Sequence, residues 1–435
     1  MNILILGAGQ VGSTTATQLA KEEDNEVTIV DIDPEKLTKL GRRVDLQTIE
    51  GNASYPEVLK QAGAETADML IAVTSSDEIN MIACQIASTL FNTPKKIARI
   101  RAQEYSNNKA LFSKSNIPVD YYINPEQLVT EHIAELILHP GAFQVLDFAN
   151  GLVRMVGVRA KQQSFLVDQP IKSLHKHLGN EQVRIAAVYR DGESIDPDGD
   201  TVIKKDDEVF FIAAREDIDY MISEFIQSQE RVEKVIIAGG GGIGLKLASK
   251  LETTNQVKVI ERSKARAKKI AELVEDTIVL VGDAADDSLL LEESIETTDV
   301  FVALTNSEEA NILSSMLAKK LGCKKAMALV NKASYSGLIE TSSIDIAISP
   351  QQITIGSLLT HVREGDVVKV HSLKRGNAEA LEAIAHENMS QVVGKTVEEI
   401  KLPKGAFITA VLSSSGDLKT LHHSTVIEPD DHVIV

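Results

Sequence analysis

A glycine turn set between an apolar run and a helix constrains this chain more than any other stretch. Ile3-Leu4-Ile5-Leu6 reads as a buried parallel strand, and Gly7-Ala8-Gly9-Gln10-Val11-Gly12 breaks it before a helical segment over 13–20. Gly7 permits the tight reversal, Gly9 lets a pyrophosphate approach the backbone, and Gly12 lets helix and strand pack closely. The helix start then offers N–H groups and a partial positive charge to phosphates. The next apolar run, Val27-Thr28-Ile29-Val30, ends in Asp31. An acid there accepts hydrogen bonds from a ribose diol and repels a 2′-phosphate, which favours NAD(H) over NADP(H).

One such motif is weak evidence, but this chain repeats it. Val235-Ile236-Ile237-Ala238 runs into Gly239-Gly240-Gly241-Gly242-Ile243-Gly244, and Val257-Lys258-Val259-Ile260 ends in Glu261, the counterpart of Asp31.

After Asp31 the pattern predicts helices over 34–40, 56–62 and 78–90, alternating with strands over 45–49, 69–73 and 97–100. Alternation of this kind specifies an α/β fold with a doubly wound parallel sheet, where ligands bind at the carboxyl ends of the strands. Gly7 to Gly12, Asp31, Asn52 and Ala53, Thr74 and Ser75, and Arg99 all fall at those ends and converge on one crevice. The segment 119–125 closes the unit. Behind it lies an amphipathic helix with Leu128, Val129, Ile133, Leu136 and Ile137 at helical spacing, ended by Pro140-Gly141. Its apolar face must be buried on its own unit or on a neighbour.

The character then changes to a small α+β module. It has a strand over 152–158, a short helix over 171–178, a strand over 183–189, a strand–turn–strand over 198–211 and a helix over 217–227. Everything then recurs. Gly282-Asp283-Ala284-Ala285 matches Gly51-Asn52-Ala53-Ser54, and Thr305-Asn306-Ser307-Glu308-Glu309 matches Thr74-Ser75-Ser76-Asp77-Glu78. The segment 344–350 matches 119–125, and 425–433 matches 201–209. The organisation is a Rossmann-like nucleotide-binding domain (1–125), linker helix (126–142) and α+β module (143–228), then the same series again as 232–350, 351–366 and 367–435. The second copy stops at Val435, aligned with Phe211, so either its last strand forms an edge or the chain is cut short.

The two crevices differ in charge. Leu329 and Asn331 stand where the first copy has Arg99 and Arg101, and Arg262 after Glu261 restores part of the loss. Gly240 and Gly242 replace Ala8 and Gln10, which makes the second loop more flexible. The two sites are expected to differ in affinity or preferred nucleotide.

Composition narrows the function. A formal charge of −18 over 435 residues argues against a nucleic-acid surface and a polybasic membrane anchor, both of which need clustered Lys and Arg. No apolar run approaches the roughly twenty residues that span a bilayer. The opening residues form a core strand rather than a signal peptide. Cys84 and Cys323 read as free thiols in a reducing cytoplasm.

The series GAGQVG, VDID, GNAS, AVTSSDE, ARIR and VDYYINP, followed by a module ending DGDTVIKKDDEVFF, closely resembles the RCK/KTN domain with its C-terminal companion. Such domains regulate K⁺ channels and transporters. Two tandem copies in one chain are similar to the nucleotide-binding regulatory subunits of bacterial Trk-type potassium uptake systems. The resemblance implies a homotetrameric ring on the cytoplasmic face of the membrane, beneath a K⁺-translocating subunit of the Trk/Ktr type. It implies nucleotide ligands, NAD(H) and in relatives ATP or ADP. The contacts carried over are Gly7, Ala8, Gly9, Gln10, Val11, Gly12, Asp31, Asn52, Ala53, Thr74, Ser75 and Arg99 in the first copy. In the second they are Gly239, Gly240, Gly241, Gly242, Ile243, Gly244, Glu261, Asp283, Thr305 and Asn306. No catalytic or metal-binding residue is implied.

An NAD-dependent dehydrogenase is the rival reading. It needs an acid/base facing the nicotinamide. His132, His139, His175, His177, His361 and His371 are scattered, none recurs at an equivalent place, and each reads as a surface or interface residue. A scaffold with purely structural glycine turns is a third reading, but it has no need for an acid at both ribose positions. Asp77, Glu78, Glu308 and Glu309 read as first-turn acids favoured by the helix dipole. His422-His423 with Asp430-Asp431 reads as solvated turn residues.

Overall fold

The computed structural model describes residues 1–22, 24–113, 115–174, 182–195, 197–226, 231–331, 335, 342–362, 367–373, 378–389, 391–403 and 405–435. The chain opens with β1 (Asn2–Leu6), α1 (Gln10–Leu19), β2 (Glu26–Asp31), α2 (Pro34–Gly41), β3 (Gln47–Glu50) and α3 (Pro56–Gln61). It continues with β4 (Met69–Ala72), α4 (Asp77–Phe91), β5 (Lys95–Arg99), α5 (Gln103–Ser106), β6 (Tyr121–Ile123) and α6 (Pro125–Leu138). The first small module holds β7 (Ala142–Phe148), β8 (Val153–Arg159), β9 (Arg184–Arg190), β10 (Glu193–Ile195), β11 (Glu208–Ala214) and α7 (Ile218–Ile226). The repeat begins with β12 (Lys234–Ala238), α8 (Gly242–Leu251), β13 (Gln256–Glu261), α9 (Lys264–Ala271), β14 (Ile278–Val281) and α10 (Asp287–Glu292). There follow β15 (Val300–Ala303), α11 (Glu308–Lys320), β16 (Lys325–Leu329), β17 (Ile346–Ile348) and α12 (Pro350–Val362). The last module holds β18 (Val367–Leu373), β19 (Ala378–Ala385), β20 (Ala410–Leu412) and β21 (Asp431–Ile434).

The chain divides into two compact units, 1–128 with 350–364, and 129–349 with 365–435. The first is built on a parallel sheet in the order β3-β2-β1-β4-β5-β6. Its apolar runs decide that order. β1 and β4 pair in register from Ile3–Met69 to Leu6–Ala72 and are buried on both faces, as the interior of a doubly wound sheet requires. β3, with the sequence Gln47-Thr48-Ile49-Glu50, lies exposed at the edge. α12 packs on α1 in this unit. The linker helix that follows the second copy therefore covers the parallel-sheet domain of the first. Tyr121 of β6 stacks on His361 of α12 with ring centroids 4.2 Å apart.

The second unit repeats the parallel sheet as β14-β13-β12-β15-β16-β17 and adds two antiparallel sheets, β10-β9-β11-β8-β7 and β18-β19-β21-β20. From Val129 onward α6 belongs here, and Val129, Ile133, Ala134 and Ile137 bury the apolar stripe visible in the sequence. Lys325 at the start of β16 holds the end of α6. Its Nζ donates to the carbonyls of Leu136 (3.3 Å), Pro140 (2.9 Å) and Ala142 (3.0 Å), and burial pushes its pKa down to about 8. The two antiparallel sheets share one core, in which Phe148, Phe210 and Ile212 meet Leu373, Leu412 and Ile434.

Several expectations are corrected. β7 was not visible in the sequence because a bulge between Ala142 and Gln144 breaks its alternation. The first strand expected in 198–211 is reduced to an isolated bridge from Val202 to Pro170. β21 is not an edge, since it pairs with both β19 and β20. Most of the helix expected over 171–178 lies outside the described residues, as do His175 and His177. Cys84 and Cys323 are free, and burial raises their thiols to about 12 and about 11.

Candidate functional site

The first crevice lies where β1, β2, β4 and β5 all end. Gly7 takes φ +104°, and a Cβ there would press within 3.0 Å of the Thr74 backbone, so the loops after β1 and β4 touch only because Gly7 lacks a side chain. A Cβ on Gly12 would collide with the Gly7 carbonyl, whereas one on Gly9 would meet nothing within 4 Å. The loop is thus closed on its protein side and open on its outer side. No side chain caps α1 at Gly9 or α8 at Gly241, although Asp33, Ser76, Ser263 and Ser307 cap α2, α4, α9 and α11. Both uncapped helix starts present first-turn N–H groups to the crevice, which suits the pyrophosphate of a dinucleotide.

Asp31 is tied to the glycine loop. Its Oδ2 accepts from the Ala8 N–H at 2.6 Å and its Oδ1 from the Asp33 N–H at 2.9 Å. Each carboxylate oxygen keeps accepting capacity for a ribose hydroxyl. Asn52 turns inward, its Oδ1 accepting from Ser54 N (2.9 Å) and Oγ (2.8 Å), and Ala53 is buried. Thr74 also points inward, its hydroxyl donating to Asn80 Oδ1 at 2.7 Å.

Asn80 was not singled out in the sequence. Fully buried on α4, it accepts from Thr74 N–H at 3.0 Å and donates to the Arg99 carbonyl at 2.9 Å, which locks the ends of β4 and β5 together. The Arg99 guanidinium donates through Nη2 to the Thr74 carbonyl, and its buried Nε has no hydrogen-bond partner among the described residues. Burial, together with Arg101, holds its pKa below the usual arginine value. Arg101 donates to the Ser75 carbonyl at 2.7 Å. Asp77 does more than meet the helix dipole, because its Oδ2 accepts from the N–H groups of Arg101 and Ala102, both at 2.8 Å.

The second crevice repeats this frame. Glu261 accepts from Gly240 N–H at 3.0 Å and from Ser263 N–H at 2.8 Å, and buried Asn311 joins Thr305 to the Leu329 carbonyl. The recurrence of Asn at the same offset from Thr74 and Thr305 was the signal that could have revealed both. Gly240 corrects the expectation of a looser loop. A Cβ there would meet the terminal methyl of Ile270, and Arg266 Nε holds its carbonyl at 2.7 Å, so this part of the loop is tied down. Arg262 does not stand toward the β16 end that Arg99 would serve. It pairs with Asp283 at 2.6 Å and holds that carboxyl below the usual range. Asn306 is exposed, as is Ser75 in the first copy.

Away from the crevices, His132, His139 and His371 are not surface groups. Burial pushes His132 and His371 down to about 4, and His139 is buried between Arg154 (2.7 Å) and Asp219 (2.9 Å). Asp431 is likewise no solvated turn residue. It is 1% exposed and paired with Lys419 at 2.8 Å, as its counterpart Asp207 is with Arg190 at 2.8 Å. Among the described residues no cluster of His, Cys, Asp and Glu could hold a metal ion.

Comparison with known proteins agrees with this frame. The TrkA-N domain family matches residues 3–125 and 235–350, and the TrkA-C domain family matches 155–226. A Trk system potassium uptake protein TrkA from Halomonas elongata is 53% identical over 437 residues, covering 100% of this chain and 95% of the relative. Namesakes from Vibrio alginolyticus and Haemophilus influenzae are 50% and 45% identical with the same coverage. Among solved structures, the GsuK RCK domain aligns with TM-score 0.65 at 17% identity, covering 100% of this chain and 91% of that one. The GsuK channel bound to NAD aligns with TM-score 0.64 at 16% identity, covering 100% and 76%. At that identity the likeness is one of fold.

Proposed function

The chain belongs to the TrkA family, and from that premise we propose that it is a nucleotide-binding regulatory subunit of a potassium uptake system. It binds NAD(H), in competition with ATP or ADP, and biases a membrane-embedded K⁺-translocating partner between states. The observation that carries the reading is the paired crevice: two uncapped helix starts, each facing an open glycine loop, each with an acid bonded to that loop. A structural turn needs neither the open outer face nor the uncapped helix.

In this reading Gly7 to Gly12 and Gly239 to Gly244 receive the pyrophosphate, Asp31 and Glu261 receive the adenine ribose, and Arg99 neutralises phosphate charge at the first site. Thr74, Ser75, Thr305 and Asn306 line the far wall through their backbones, while Asn52, Ala53 and Asp283 border the base. The bound nucleotide serves as a conformational ligand and is not turned over. It shifts the protein only as far as its affinities for the two states differ. Among the described residues no helix is long and apolar enough to cross a membrane. The subunit works as a homo-oligomeric ring, held at the cytoplasmic face by its partner.

Calorimetric titration of the full chain with NAD⁺, NADH, ATP and ADP tests the proposal. Two separable sites without turnover, each weakened by Asp31→Ala or Glu261→Ala in turn, is the expected result. Absence of binding by all four nucleotides would reduce the glycine turns to structure.

A further inference from the structure

The two nucleotide-binding sheets end in edge strands of opposite character. At the edge of the first, Arg43, Gln47, Glu50 and Lys60 are exposed on and beside β3. The equivalent positions of the second are Leu273, Ile278, Val281 and Leu291, which are 65%, 54%, 54% and 51% exposed. β14 pairs only with β13 among the described residues, in register from Lys258–Ile278 to Glu261–Val281, so its outer N–H and C=O groups face solvent. An apolar edge strand with unpaired backbone is a template for another strand, and proteins normally blunt such edges with charge, as the first copy does.

The surroundings indicate what covers it. Exposed Glu272, Glu275 and Asp276 precede β14, and Asp286, Asp287 and Glu292 follow it, against Lys268 and Lys269 on the last turn of α9. A second copy laid antiparallel on this edge would set acid against acid at both ends. A basic segment would meet complementary charge at both ends of the strand. Cytoplasmic loops of membrane proteins carry an excess of Lys and Arg. We propose that β14 is the docking edge for the potassium-translocating partner, which adds an extended cytoplasmic segment alternating apolar residues with Lys or Arg to the second sheet. The inference rests on the regulatory-subunit reading above.

The test uses the full chain co-expressed with its membrane subunit and captured in detergent. The variant Leu273→Arg, Ile278→Gln, Val281→Glu, Leu291→Lys gives the second edge the residues with which the first edge folds. It should retain membrane subunit about tenfold less well than the unaltered chain, with nucleotide titration and oligomer size by light scattering unchanged. The same four positions of the first copy, changed reciprocally to Leu, Ile, Val and Leu, should not reduce capture. Undiminished capture by the second-edge variant overturns the proposal. So does a collapse of oligomer size in that variant, which would make β14 a contact between copies. Failure of the unaltered chain to capture the membrane subunit at all would instead count against the regulatory reading.

Discussion

Gln351 Nε2 donates to the Gln10 carbonyl at 3.2 Å and also bonds the Thr14 hydroxyl. A side chain at the start of the helix that follows the second parallel-sheet domain thereby holds the first turn of α1, whose N–H groups face the first crevice. Helix α12 is therefore bonded directly to the first turn of α1. Gln351→Ala should speed amide exchange over residues 10–14 in the nucleotide-free protein by roughly fivefold, the worth of about 1 kcal/mol of hydrogen bonding. Exchange at the unaltered rate would disconnect α12 from the loop.

Asp31 braces the glycine loop by accepting from the Ala8 N–H, and in the proposed function it also receives the ribose. Asp31→Ala removes the acceptor of the Ala8 N–H and the charge that repels a 2′-phosphate. It should weaken NADH binding at the first site by about 1.5–3 kcal/mol and lower the preference for NADH over NADPH. A preserved ratio of the two dissociation constants would show that the acid does not read the ribose.

Arg99→Ala should weaken nucleotide binding at the first site by about 1.5–3 kcal/mol, the range for a hydrogen bond to a charged group, with far-UV circular dichroism unchanged. The second site, which has Leu329 there, should be unaffected. Equal loss at both sites would indicate a general structural defect, and no loss would remove Arg99 from the phosphate.

Asn80→Ala leaves the Thr74 N–H and the Arg99 carbonyl without their buried partner. We expect about 2–3 kcal/mol of destabilisation of the first unit in urea. Asn311→Ala should do the same in the second. A change under about 0.5 kcal/mol would mean that water substitutes for the amide.

His132 and His371, held at about 4 by burial, make stability depend on pH. Above the ordinary histidine value of 6.5 both are neutral in folded and unfolded chains, and they contribute nothing to the pH dependence. Between 6.5 and about 4 the unfolded chain binds protons that the folded one refuses, so stability falls as pH falls. The loss should approach roughly 3 kcal/mol per histidine at the bottom of the window. Urea midpoints measured across that range should drop for the unaltered protein and drop less for His371→Asn. A flat profile would place both histidines in contact with water.

The copies of the glycine turn, the acids after β2 and β13, and the alternation of helix and strand were legible without coordinates because they are local. A parallel strand buried on both faces must be apolar, and a backbone reversal against a second loop must be glycine. Asn80 and Asn311 were legible only as an unexplained repeat. Their role depends on carbonyls contributed by β5 and β16, distant in sequence. Gly240 misled for the same reason: its carbonyl is held by Arg266 on α9, a partner that only folding brings to the loop. The apolar stripe of α6 announced that it would be buried but not where, since hydrophobic burial is non-directional and any matching surface satisfies it. Sequence by itself determined most elements of the two parallel-sheet domains and the placing of the two glycine turns, because these follow from period and backbone sterics. Tertiary structure alone decided that α12 closes over the first domain, that α6 joins the second unit, and which polar groups are locked inward, because long-range packing and hydrogen-bond satisfaction choose among partners the chain brings together only on folding.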